Sequence, residues 1–115
     1  MLRNARQDGK SFRRVRIVSE PLSDYQRWAH SVTRPMVDAG EDIRWLPRHR
    51  VSSVPLPGND FCLLDDTRVV FLHYAGDGSS TGMASSVDAA ELHLCRTAFE
   101  AVWGLSIPHG EYRPD

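Results

Sequence analysis

The alternation of hydrophobic and polar positions first settles into a readable period at Arg13. Arg13-Arg14-Val15-Arg16-Ile17-Val18 alternates basic with apolar, largely β-branched residues, which predicts a strand over 13–18. Ser19-Glu20-Pro21 then offers a cap and a first-turn proline, and Leu22, Tyr25, Ala29 and Val32 recur at helical spacing. A helix to about Thr33 is predicted, with Tyr25, Val32 and the neighbouring Trp28 expected in the core. Pro35 interrupts it, because proline lacks the backbone donor, and Gly40 closes the segment. Residues 41–47 alternate again, Ile43 and Trp45 on one side and Arg44 and Leu46 on the other, giving a short strand ended by Pro47. Strand, helix and strand at this spacing suit a βαβ unit with parallel strands.

Residues 47–59 hold three prolines and a glycine and read as an exposed loop. Phe61-Cys62-Leu63-Leu64 and Val69-Val70-Phe71-Leu72-His73-Tyr74 are apolar runs around Asp65-Asp66-Thr67, the pattern of a central β-hairpin. The three glycines of 75–82 argue for a mobile loop, with a short strand after it at 83–85. Asp88 caps a last helix that carries Leu92, Cys95, Phe99, Val102 and Trp103 on one face and stops at Gly104. Residues 1–12 show no period and read as a partly ordered lead-in; 108–115 read as an extended tail. The expected fold is α/β, a single two-layer domain over 13–107 with a mixed sheet, a βαβ unit, a central hairpin and a C-terminal helix. The 115 residues suffice for one core and no more.

Charge alters this picture mainly by its distribution. The net charge is −1, yet residues 1–50 hold eleven Arg or Lys against six Asp or Glu, and residues 51–115 hold three against nine. A basic face near Arg13, Arg14, Arg16, Arg44, Arg48 and Arg50 would attract nucleic acid or an acidic partner, although oppositely charged halves of one domain also neutralise each other. The longest apolar stretches, 69–72 and 98–105, fall short of the roughly 20 residues of a membrane span. The first ten residues are charged and lack the apolar centre of a secretory signal, so a cytoplasmic location is expected. Cys62 and Cys95 sit among apolar neighbours and read as reduced core thiols.

Several side chains invite chemistry. Asp65-Asp66 would concentrate charge for a metal or for acid–base work, but aspartate is also a common turn residue that bonds its own backbone. His73 shares a strand face with Phe71 and could be a general base or a hydrogen-bonded core histidine. His30, His49, His93 and His109 are scattered without ligand spacing, so no metal is expected, and no cofactor motif is present. The glycine-rich segment lacks the Gly-Lys-Ser/Thr ending of a phosphate cradle. Trp45, interleaved with Arg44, Arg48 and Arg50, is the aromatic best placed in the sequence to stack on a base or a partner, and these four are the candidate contact residues.

The strings Arg14-Val-Arg-Ile-Val-Ser-Glu-Pro-Leu-Ser-Asp-Tyr, Ala39-Gly-Glu-Asp-Ile-Arg and Asn59-Asp-Phe-Cys-Leu-Leu-Asp-Asp, with Val69-Val and His73-Tyr, resemble an uncharacterised actinobacterial domain family. Its members are often encoded beside helix-turn-helix regulators, which implies a regulatory setting. More distantly, the order of elements is similar to half of a phospholipase-D-type fold. In active members of that superfamily a His-x-Lys pair precedes the hairpin strand and an Asp follows five positions after the Lys. Here the Asp is kept as Asp65, but the His and Lys positions read Gly58 and Asp60. Glycine offers no nucleophile and a carboxylate repels phosphate. The expectation is a non-catalytic interaction module with a protein partner, such as a helix-turn-helix regulator, or a second copy of itself. A degenerate phosphodiesterase using His73 and Asp65, and an arginine-rich nucleic-acid binder, stand as alternatives.

Overall fold

In the computed structural model the described residues are 2–5, 12–65, 67–77 and 79–114. Seven strands form one mixed sheet: β1 Leu2–Ala5, β2 Phe12–Val18, β3 Asp42–Pro47, β4 Asp60–Leu64, β5 Arg68–Tyr74, β6 Ser80–Ser86 and β7 Ile107–Pro108. Their order across the sheet is β6-β5-β4-β1-β2-β3-β7. β2 and β3 are parallel and adjacent, as the βαβ reading requires, and α1 Asp24–Ser31 and α2 Arg34–Asp38 connect them. β4 and β5 form the expected antiparallel hairpin, with Leu63 opposite Val69.

Four features differ from the sequence reading. The lead-in contributes β1, which lies in the middle of the sheet, antiparallel to β2 and parallel to β4. Its Leu-Arg-Asn-Ala sequence carries one clear hydrophobe, Leu2, too little to register as a period. Residues 6–11 of that lead-in lie outside the described residues. The supposed loop at 75–82 gives its last three residues to β6, because Gly82 takes a positive φ of 137° beside a register shift at His73/Tyr74, a kink that glycine allows without ending the strand. Pro35 does not break a helix; it sits in the first turn of α2, where a missing donor costs nothing. The tail is anchored: β7 pairs with β3, and Tyr112 is buried.

α3, Ala89–Leu105, covers one face of the sheet. Asp88 caps it by accepting from the Glu91 backbone N–H at 3.0 Å. Leu92, Cys95, Ala98, Phe99 and Val102 face inward against Leu2, Val15, Leu46, Phe61, Leu63 and Val69. Where the arginines of β2 and β3 meet this layer they are used as packing. Arg13 lies 4.9 Å from the Phe99 ring centroid and 5.2 Å from that of Trp103, and bonds Glu100 at 2.8 Å; Arg44 lies 4.0 Å from the Trp103 ring. The opposite face holds a smaller cluster of Val18, Leu22, Ala29, Trp45 and Tyr112 under α1. Both cysteines are free: Cys95 is buried on α3, and Cys62 is half-buried. Burial raises the pKa of each thiol, so both stay protonated at neutral pH.

Candidate interaction surface

α1 is seated with small and polar uncharged residues inward. Its cap is Ser23, whose Oγ accepts from the Gln26 N–H at 3.2 Å, rather than Ser19. Ala29 and the following Thr33 are buried, with Gln26 and His30 half-buried beside them. The sheet under the helix supplies the reason. Trp45 is fully buried there and its Nε1–H donates to His109 Nδ1 at 2.9 Å. The His30 ring lies 4.6 Å from His109 and 5.1 Å from Trp45, and its Nε2 is 3.2 Å from the Tyr112 carbonyl oxygen. Tyr112 stacks on Trp45 at 5.6 Å and donates to Glu20 at 2.8 Å. Such a core rewards imidazoles and hydroxyls because it can pair them. Desolvation, then the proximity of His30, Arg34 and Arg113, lowers the pKa of His109, in keeping with its role as acceptor from Trp45.

The helix consequently turns its large apolar residues outward. Tyr25 is 62% and Trp28 61% exposed, their ring centroids 6.1 Å apart, and Val32 continues the stripe one turn on. All three were expected in the core. Of the helical stripe Leu22, Tyr25, Ala29 and Val32, the structure buries Leu22 and Ala29 and leaves Tyr25 and Val32 exposed. Two adjacent exposed aromatics are the composition of an interface anchor, since Trp and Tyr dominate the energetics of protein contacts.

The four contact residues proposed from the sequence do not form one surface. Arg44 is stacked on Trp103 under α3, and Trp45 is closed off on the opposite face, so it cannot reach a base or a partner. Only Arg48 and Arg50 are exposed, on the 3-10 turn Arg48–Val51. The expected basic face is likewise split: Arg13 and Arg44 serve the α3 layer, while Arg14 and Arg16 project on the other side of β2, in register with Ile43 and Trp45. Arg3, hidden in the supposed lead-in, stands opposite Arg14.

Nor do the candidate catalytic residues meet. Asp65 occupies the β4–β5 turn with a positive φ of 53°, as a turn aspartate does, whereas half-buried His73 lies at the far end of β5, five residues beyond Arg68 and so about 17 Å along the strand. Asp66 lies outside the described residues. Gly58 and Asp60 border a polar cavity of about 360 Å³ that also involves Gln26, Arg48 and Asn59. Among the described residues there is no group of three or more His, Cys, Asp or Glu placed to hold a metal ion. No helix among them is long and apolar enough to cross a membrane.

A family model described as a domain of unknown function, DUF6879, matches residues 1–114, which spans the whole sheet, both helical layers and the anchored tail. The chain belongs to the DUF6879 family. No curated protein and no solved structure matches it. Within this DUF6879 domain, the outward stripe of α1 departs in composition from that of an ordinary solvated helix.

Proposed function

We propose that the chain is a non-catalytic interaction module in a regulatory setting, acting in the cytoplasm on a protein partner, with a helix-turn-helix regulator encoded beside it as the first candidate. The observation that carries this reading is the exposed Tyr25–Trp28–Val32 stripe on α1. Burying a tryptophan and a tyrosine in a partner's pocket is worth several kcal/mol, the usual share of an interface hot spot. A distant kinship with half of a phospholipase-D-type fold fits the same reading, as Gly58 and Asp60 hold neither a nucleophile nor a cation.

Co-expression with the neighbouring regulator, followed by size-exclusion chromatography and calorimetry, tests it. A stable complex is expected that Trp28→Ala weakens at least a hundredfold and Tyr25→Ala at least tenfold, while both variants melt within a few degrees of the parent because neither side chain is buried in the fold. A complex indifferent to Trp28→Ala would remove α1 as the contact surface. A protein that stays monomeric and captures no regulator would remove the module reading.

A further inference from the structure

The sheet face that carries Trp45 also carries three guanidinium groups on neighbouring strands. Arg14 and Arg16 are two residues apart on β2, about 7 Å, and Arg3 on β1 is the direct cross-strand neighbour of Arg14, about 5 Å away. Their environments differ in a useful way. Arg14 is nearly buried; its Nη2 pairs with Glu41 at 3.3 Å and its Nη1 faces only the Met36 sulfur, a weak acceptor, at 4.0 Å. Arg16 lies over the Trp45 ring, 5.6 Å from its centroid, an arrangement that positions a guanidinium without neutralising it. Among the described residues Arg16 has no ion pair, and the Nε–H groups of Arg14 and Arg16 are both without an acceptor.

The neighbouring groups leave Arg16 without a counter-ion among the described residues. Cys62, in register with Arg3, is a candidate counter-ion by position, but burial holds its thiol protonated. The carboxylates on or beside this face are Glu41, which pairs with Arg14, Asp60, and Glu20, which accepts from Tyr112; none of them is paired with Arg16. Arg14 carries the effect of the crowding: desolvation first, and then Arg3 and Arg16, lower its pKa against the pull of Glu41. A cation cluster with unmatched N–H donors is stabilised by an oxyanion, because a planar fork of Nε and Nη meets two oxygens of a phosphate or carboxylate together.

We propose that Arg14 and Arg16, with Arg3 beside them, form a binding site for an oxyanion, a phosphate group or a carboxylate. The site stands apart from the α1 stripe and does not depend on it. The anion arrives either as a small free phosphate compound or as an acidic side chain of a partner.

The test follows the Arg Nε–H resonances of the ¹⁵N-labelled chain by NMR at constant ionic strength, titrating inorganic phosphate in one arm and a hexaglutamate peptide in the other. Saturable shifts at Arg14 and Arg16 are expected, weakened at least tenfold in Arg16→Gln and unchanged in Arg27→Gln, a substitution at an exposed arginine elsewhere. Saturation by phosphate alone identifies a free phosphate ligand, and tighter saturation by the peptide identifies a partner carboxylate. If Arg16→Gln melts below the working temperature, Arg16→Lys, which keeps the charge and loses the fork, is expected to weaken binding by the same order. Failure of both probes to saturate, or equal binding by the parent and the Arg16 variant, overturns the proposal.

Discussion

Lowering the pH should loosen the anchored tail through one proton on His109. In the fold its Nδ1 accepts from Trp45 Nε1–H at 2.9 Å, which fixes the neutral ring with its proton on Nε2. Protonation would set one N–H against another and add a third positive charge to those of Arg34 and Arg113, while burial opposes any charge there. The folded pKa therefore lies below the unfolded value of about 6.5. Between those two values the unfolded chain holds more protons than the folded one, so stability rises with pH across the window. It is complete above pH 6.5 and is lost as the pH falls below it. The slope for one proton is at most about 1.4 kcal/mol per pH unit. Urea melts at half-unit intervals from pH 7.5 to 5 should show this loss in the parent. His109→Asn keeps an oxygen within reach of the indole and removes the titration. The difference between the two proteins isolates His109 from every other titrating group, and should shrink as the pH falls from 6.5 to 5.5, by at most about 1 kcal/mol. A difference that stays constant over that interval would refute the assignment of His109 as a buried neutral acceptor.

Three further outcomes follow from the packing. Asp88→Ala removes the cap of α3 and should cost about 1 kcal/mol in a denaturant melt, with Asp88→Asn close to the parent. Phe61→Ala, at a fully buried position between the sheet and α3, should cost about 3–5 kcal/mol, enough to unfold a domain of this size in part at ambient temperature, as circular dichroism would show. Alkylation followed by mass spectrometry should modify half-buried Cys62 first and Cys95 only under unfolding conditions; equal rates in the native protein would contradict the seating of α3.

How far the sequence foretold this molecule depended on whether one hydrophobic period governed each segment. Residues 13–18 and 41–47 each follow a single face alternation, 61–64 and 69–74 are apolar runs about a turn, and the last helix carries a single stripe, so β2, β3, the β4–β5 hairpin and α3 were legible. β1 was not, because in a central strand flanked by an arginine-bearing face only Leu2 carries the signal. α1 misled for a different reason: Leu22 and Ala29 are buried as expected, yet Tyr25 and Val32 between and beyond them look outward, while His30 packs on the cluster of His109, Trp45 and Tyr112 beneath the helix. The candidate contact residues are separated by pleating. Arg44 and Trp45 are neighbours in the chain and therefore sit on opposite faces of the sheet, a fact that adjacency in sequence conceals. Arg16 was legible as basic, but its isolation from carboxylates is a three-dimensional fact.

The central place of β1 has a practical corollary. β2, β3 and β7 lie to one side of it and β4, β5 and β6 to the other, and among the described residues no hydrogen-bonded ladder joins the two groups except through these four residues. Excising or displacing residues 2–5 would cut the sheet into two three-stranded pieces joined by the packing of α3 and of Val51, Val54 and Leu56, so an alteration there is an alteration of the middle of the protein, whatever its position in the numbering.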